Sequence, residues 1–142
     1  MAERYPYEAQ LRASAQRIAE SAGQSDWVLV YQSRSGRPGD PWLEPDVGDY
    51  LRRARANGLD AAVLCPVGFL CDHVEVLYDL DVEAADVCTA LGVAMRRAEA
   101  VNVHPAFIGA LADTVADTWR RYERGTPLVL TAGSPPVCLP KC

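Results

Sequence analysis

Apolar segments of strand length alternate with helix-like segments along the chain, and this alternation is the feature that most limits its fold. Continuous apolar runs at residues 27–31 and 61–65 predict two buried strands, and residues 93–96 predict a short third strand. Segments with apolar residues at helical spacing lie before, between and after these runs. Strands that alternate with helices are typical of a parallel sheet covered on both faces. We therefore expect an α/β fold with three layers, α/β/α.

The helices are expected at about residues 11–22, 46–57, 72–91 and 107–122, and glycines 23, 58 and 92 are expected to end the first three. Asp46 is expected to cap the second helix, and His104, just before Pro105, is expected at the entry to the last. A length of 142 residues suits one domain. We place that domain at residues 1–125 and an irregular tail, which contains four prolines, at residues 126–142. Ligands of such sheets bind at the carboxyl ends of the strands, which here are followed by residues 32–45 and 66–72.

The formal net charge of -5 comes from one central segment. Residues 56–95 contain seven acidic residues and no Lys or Arg, so this window carries -7 and the remainder +2. The acidic balance argues against a protein that binds the phosphate backbone of nucleic acids. There is no apolar run of the roughly 20 residues that a transmembrane helix needs, and the first residues lack an apolar signal core. We therefore expect a cytoplasmic protein without a transmembrane segment.

Five of the seven acidic residues share one face of the predicted helix at residues 72–91. At 100° per residue they fall within a stripe roughly 80° wide, whereas Asp81 falls well outside it. Like charges four residues apart destabilise a helix, so water, an arginine from another segment, protonation or a cation must compensate them. A solvated acidic face is one interpretation, and a site for a divalent metal or for proton transfer is the other. The five are Asp72, Glu75, Asp79, Glu83 and Asp86.

The loop after the first predicted strand carries groups suited to a flat, acidic ligand. Ser33 and Arg34 can bond carboxylates or phosphates, and Trp42 can stack on a planar ring; an ordinary exposed loop is the alternative. No glycine-rich phosphate-binding motif is present, so we expect no nucleotide. The odd number of cysteines, five, indicates reduced thiols. Cys138 and Cys142 are either half of a metal or iron–sulfur site or two spare thiols in the tail.

The run Cys-Pro-Val-Gly-Phe-Leu-Cys-Asp-His-Val-Glu-Val-Leu-Tyr-Asp-Leu-Asp at residues 65–81 closely resembles the signature of the ferrochelatase family. Residues 31–36 and 41–46 resemble a loop of the same family. The resemblance extends to about Glu123 and covers only the second half of a typical member, which has two similar Rossmann-like lobes around a porphyrin cleft. It implies a chelatase-like lobe that takes part in inserting Fe²⁺ into protoporphyrin IX or coproporphyrin III in heme biosynthesis.

The resemblance also implies roles for individual residues. Glu75 matches the family's catalytic glutamate and is the candidate metal ligand, while Asp79 and Glu83 match two further carboxylates on a path for metal or protons. The family helix that carries them is locally widened to π geometry. Fe²⁺ is then a substrate, and the candidate porphyrin contacts are Ser33, Arg34, Trp42 and His73. Considered alone, His73 also fits a buried, hydrogen-bonded histidine.

One family motif is missing. The family's other key residue is a histidine of the first lobe, and neither His73 nor His104 replaces it. Some members bind a [2Fe–2S] cluster with one cysteine of the first lobe and three of the tail, and Cys138 and Cys142 are a possible remnant of that site. We expect a half-chain that is inactive without a first lobe, and that is a fragment or pairs with a separate polypeptide. The alternatives are a single-lobed chelatase that works as a homodimer, or a metal- or porphyrin-binding module without turnover.

Overall fold

The computed structural model describes residues 7–33 and 42–125 of the chain. The chain divides into two units, residues 1–102 and residues 103–142. The first unit contains helix α1 (Tyr7–Ser21), helix α2 (Val47–Ala56), strand β1 (Ala61–Leu64), one long helix over residues 74–91 and strand β2 (Ala94–Arg97). All of these elements lie within three residues of the positions predicted from apolar periodicity, except that α1 begins four residues earlier than expected.

Helix α2 begins where its capping residue predicts. The side chain of Asp46 accepts hydrogen bonds from the backbone N–H groups of Gly48, at 2.8 Å, and Asp49, at 3.1 Å. These bonds satisfy amides that have no partner inside the first turn of a helix. Leu51, further along α2, is 1% exposed. The cap and the buried leucine together orient α2 against the helix over residues 74–91, which shares its core cluster.

Strands β1 and β2 form a parallel two-stranded sheet, which confirms the predicted α/β class. Their register runs from Ala61 opposite Ala94 to Leu64 opposite Arg97. The connection between the strands contains the long helix, as a parallel pair requires. The prediction that this strand is buried is wrong: none of the four residues of β1 is buried, and Val63 is exposed. The carboxyl ends of both strands meet at one edge, where the segment that leads into the long helix begins.

The prediction of a strand at residues 27–31 is wrong. Only Tyr31 takes part in β pairing, as an isolated parallel bridge with Asp46. The backbone N–H of Tyr31 donates to the carbonyl of Pro45 at 2.9 Å, and its carbonyl accepts from the N–H of Val47 at 2.8 Å. The pairing ends there because the segment that pairs with Tyr31 enters α2 at Val47.

The helix over residues 74–91, named here the acidic helix, has three parts. Helix α3 (Val74–Val76) continues into a π-helical segment (Leu77–Ala84) and then into helix α4 (Ala85–Leu91). Gly92, in the left-handed region at φ +67°, ends it. The π widening implied by the family resemblance is therefore present.

The buried side chains of the acidic helix explain why a wider turn suits this sequence. Val76, Leu80, Ala84 and Cys88 are buried and follow one another at intervals of four residues. In a regular α-helix of 3.6 residues per turn, a row spaced by four would rotate by roughly 120° over its twelve residues. A π segment turns less per residue because its hydrogen bonds join residues five apart. The widened segment thus keeps the row facing the core.

The second unit contains helix α5 (Pro105–Glu123). His104 is its N-cap, and its imidazole Nδ1 accepts a hydrogen bond from the N–H of Ala106 at 3.3 Å, which confirms the predicted role at the start of the helix. The boundary between domain and tail at residue 125 stays a prediction, because residues 126–142 lie outside the described part. None of the helices within residues 7–33 and 42–125 is long and apolar enough to cross a membrane.

Candidate active site

Three carboxylates of the acidic helix form the centre of the candidate site. Glu75 lies in α3, and Asp79 and Glu83 lie in the π segment. Each directly precedes a member of the buried row, namely Val76, Leu80 and Ala84, so the three carboxylates repeat along the helix with the same spacing as the core contacts. Glu75 and Glu83 are exposed and Asp79 is half-buried. The helix therefore carries three acids at regular intervals, while the buried row packs it against the core.

Ser33 contacts this row of acids from the loop after Tyr31. Its hydroxyl donates a hydrogen bond to the Oδ2 atom of Asp79. Ser33 has a positive φ of 60°, which is uncommon for a residue with a side chain. The structure therefore brings together two residues that lie 46 positions apart, and it gives Ser33 a partner on the protein in addition to the porphyrin contact expected for it.

The other candidate porphyrin contacts are Trp42, Arg34 and His73, and the structure describes two of them. Trp42 is 41% exposed, so much of its ring is accessible. Arg34 lies outside the described residues, and its predicted role stays a prediction. His73 is half-buried at the N-cap of the acidic helix, where its ring packs edge-to-face on Phe69 with 4.8 Å between ring centroids. The carbonyl of His73 also accepts a hydrogen bond from the N–H of Leu77 at 3.1 Å.

The prediction that Asp72 shares the stripe of the other acids is wrong. The helix begins only at Val74, so the helical angle does not apply to Asp72. Its carboxylate accepts hydrogen bonds from the guanidinium of Arg97 at 2.8 Å, the side-chain amide of Asn102 at 2.9 Å and the N–H of Ala100 at 3.2 Å. Asp72 is thus saturated by protein donors rather than free to meet a ligand.

Arg97 is the base that pairs with two of the seven acids, Asp72 and Asp81. Its Nε and Nη2 atoms also donate to the two oxygens of Asp81, at 2.6 and 3.0 Å, in a bidentate pair. Sequence reasoning missed Arg97 and Asn102. A signal was present, because Arg97 directly follows the third predicted strand, beside the segment that leads from the previous strand into the acidic helix.

The described residues contain no set of three or more acidic, histidine or cysteine side chains arranged to hold a metal ion. Cys65, Cys71 and Cys88 are free thiols, and burial raises the pKa of Cys65 and of Cys88. Cys138 and Cys142 lie outside the described residues, so the cluster expectation stays a prediction.

The contacts of Asp72 make its ionisation sensitive to Asn102. The amide of Asn102, followed by the N–H of Ala100 and the guanidinium of Arg97, lowers the pKa of Asp72 against the opposing effect of burial. Because the folded-state pKa is below the unfolded one, this group stabilises the fold above the unfolded value of about 4. That contribution is lost as the pH falls through the lower, folded pKa.

We expect Asn102→Gly to raise the pKa of Asp72 toward its ordinary value, as measured by ¹³C NMR titration of the side-chain carboxyl. Glycine keeps the backbone unstrained because Asn102 has φ 47°. Asn57→Gly is the matched control, since the amide of Asn57 donates to the carbonyl of Arg53 in α2 and not to Asp72. An Asp72 carboxyl that titrates identically in the wild type and in Asn102→Gly would contradict the assigned cause.

The fold and the site together define a chelatase-like α/β protein, with a parallel sheet that leads into a π-widened acidic helix. The ferrochelatase family model matches residues 1–119. This match covers more than half of the chain, so the chain belongs to the ferrochelatase family.

Individual relatives agree with this assignment. The ferrochelatase of Rhodopirellula baltica is 48% identical over 118 residues, which are 82% of this chain and 34% of that protein. The coproporphyrin III ferrochelatase of Streptomyces coelicolor is 47% identical over 122 residues, 84% of this chain and 32% of the relative. The coproporphyrin III ferrochelatase of Mycolicibacterium smegmatis is 39% identical over 145 aligned positions, which cover 96% of this chain and 42% of the relative. The chain thus spans about a third to two fifths of the length of these relatives.

Proposed function

We propose that this chain is the part of a ferrochelatase that handles metal and protons during the insertion of Fe²⁺ into a porphyrin. The observation that carries the proposal is the acidic helix of a ferrochelatase-family chain, with Glu75, Asp79 and Glu83 spaced along it and its widened turn in the middle. Insertion breaks two pyrrole N–H bonds, forms bonds from iron to the porphyrin nitrogens and releases two protons. The reaction therefore needs both a base and a route for a hydrated cation.

The residues divide these tasks by position. Glu75, exposed at the start of the helix, accepts a pyrrole proton and contacts the arriving cation. Asp79 and Glu83, one and two turns further on, pass protons or metal along the same row. Ser33, which donates to Asp79, orients that carboxylate, and the exposed ring of Trp42 is a surface for the flat macrocycle.

The apolar surface of the acidic helix supports a flat, largely apolar substrate. Val74, Tyr78 and Val82 directly precede the three acids and are all exposed, Val74 by 80%. Exposed apolar residues interleaved with carboxylates suit a ligand with an apolar plane and a polar centre. The names of the relatives from Streptomyces coelicolor and Mycolicibacterium smegmatis support coproporphyrin III as the first porphyrin to test.

The purified chain alone is expected to insert Fe²⁺ or Zn²⁺ into coproporphyrin III or protoporphyrin IX at a negligible rate. A chimera, in which residues 1–119 replace the matching third of the Rhodopirellula baltica ferrochelatase, is expected to restore insertion. The physical reason is that a macrocycle must be held between two walls for its protons to be removed. Both rates are measured from the change in the visible absorption spectrum of the porphyrin.

The control is the same chimera with unrelated residues of equal length in place of residues 1–119. Activity of the chain alone that disappears in Glu75→Gln would favour a homodimeric chelatase. An inactive chimera that still quenches porphyrin fluorescence would favour a binding module. An inactive chimera that binds no porphyrin would contradict the proposed function.

A further inference from the structure

Arg97 joins two acidic residues that a regular α-helix would hold apart. On an unbroken helix starting at Asp72, Asp81 lies nine residues on and roughly 180° around the axis. In the structure a single guanidinium bonds both, with 2.8 Å to Asp72 and 2.6 and 3.0 Å to Asp81. The Arg97 side chain is only 12% exposed. Two departures from α geometry make this possible: Asp72 lies before the helix, and Asp81 lies within the π segment.

The segment that follows β2 also bonds Asp72, at the entry to the acidic helix. Asn102 donates to the carboxylate of Asp72 and accepts from its backbone N–H, both at 2.9 Å, and the Asn102 N–H donates to the carbonyl of Leu70 at 2.9 Å. The entry to the acidic helix is therefore tied to the end of the sheet at several points. Through Arg97 the attachment also reaches Asp81, which lies nine residues after Asp72 and in the middle of the π segment.

We propose that Arg97 is a positioning residue that maintains the π-helical register of the acidic helix, and thereby the alignment of Glu75, Asp79 and Glu83, through its simultaneous bonds to Asp72 and Asp81. Glu75 and Asp79 lie between the two attachment points. If the segment relaxed to α geometry, each residue after Leu77 would turn further around the axis, and Asp81 would rotate away from the guanidinium. The functional half of this inference rests on the proposed function, and the helical register does not.

Arg97→Lys and Asp81→Ala test the register in the full chain. Lysine keeps the charge and the stem but lacks the planar fork that bonds two carboxylates, and Asp81 is partly exposed, so its removal leaves no cavity. In the wild type, NMR couplings through hydrogen bonds are expected to join amides of the π segment to carbonyls five residues earlier, whereas Leu77 at its start bonds the carbonyl of His73, four residues earlier. In both variants we expect these couplings to be lost and replaced by couplings to the carbonyl four residues earlier.

The matched control is Asp86→Ala, which removes one exposed carboxylate from the same helix and changes net charge and helix propensity as Asp81→Ala does. It is expected to keep the wild-type couplings. Retention of the five-residue couplings in Arg97→Lys or in Asp81→Ala would overturn the proposal and would assign the register to the buried apolar row alone.

The functional test measures the affinity of the chain for Mn²⁺, from the paramagnetic broadening of the amide signals of residues 75–83. The reference variant for Mn²⁺ is Asp113→Ala, which removes one exposed carboxylate from helix α5, outside the acidic helix. Mn²⁺ affinity is expected to be about tenfold lower in Arg97→Lys and Asp81→Ala than in Asp113→Ala, which is the low end of the effect of losing a group that orients metal-binding residues. Equal Mn²⁺ affinity in Asp81→Ala and Asp113→Ala would overturn the functional half of the proposal. If Mn²⁺ broadens none of these amides in the wild type, the proposed metal site fails, while the coupling pattern still decides whether Arg97 sets the register.

Discussion

Glu75→Gln is expected to slow metal insertion by about 10²- to 10⁴-fold in the chimera that contains residues 1–119, the range that removal of a positioned general base costs. Glutamine has nearly the same shape but cannot accept a proton at neutral pH. Glu75 is exposed, while the adjacent Val76 is fully buried, so the substitution removes the base without disturbing the core. The rate of Zn²⁺ insertion and the circular dichroism spectrum are measured on the same sample.

The control for this substitution is Glu20→Gln in the same chimera. Glu20 is an exposed glutamate near the end of α1 and has no proposed role, so this variant is expected to keep the wild-type rate. A Glu75→Gln variant that retains more than a tenth of the rate would show that another group removes the pyrrole protons, and Asp79 would then be the first residue to test.

Leu51→Ala is expected to lower the free energy of unfolding by about 2–5 kcal/mol, the cost of truncating a buried leucine and leaving a cavity. Leu51 is 1% exposed and belongs to the same core cluster as Val76, Leu80, Ala84 and Cys88 of the acidic helix. A domain of this size is stable by only about 5–15 kcal/mol, so the loss is a large fraction of the total. The free energy is measured by urea unfolding followed by circular dichroism.

Leu70→Ala is the matched control, because it removes the same atoms from a side chain that is 61% exposed. Its effect is expected to stay within about 0.5 kcal/mol. Equal losses in the two variants would mean that the cluster between α2 and the acidic helix does not dominate the stability of this unit.

Local sequence patterns were sufficient to predict most of the fold. Asp46 was identified as a helix cap and Gly92 as a helix end because both effects depend on residues within one turn. The strands at residues 61–64 and 94–97 and their parallel pairing followed from short apolar runs separated by a helix, a connection that antiparallel neighbours do not need. The run at residues 27–31 has the same apolar character and forms no strand, because a strand also requires a partner elsewhere in the chain.

The candidate site was predicted less completely than the fold. The row of Glu75, Asp79 and Glu83 follows from spacing along one helix, and their roles follow from the family resemblance and stay predictions. The contact between Ser33 and Asp79 and the bonds of Arg97 join residues that lie far apart in sequence. Arg34, Cys138 and Cys142 lie outside the described residues, so their predicted roles are untested.

The sequence by itself determined that this chain is an α/β protein of the ferrochelatase family with an acidic helix after a strand. Periodicity, capping and motif spacing are properties of neighbouring residues, so they can be identified without coordinates. Only the tertiary structure decided which acids are free and which are bonded. Asp72 and Asp81 both bond Arg97, because a parallel sheet brings the end of β2 beside the entry to the helix and because the π segment turns Asp81 toward it. Compensation of a charge depends on distance in space, and for these acids the compensating base comes from a separate strand.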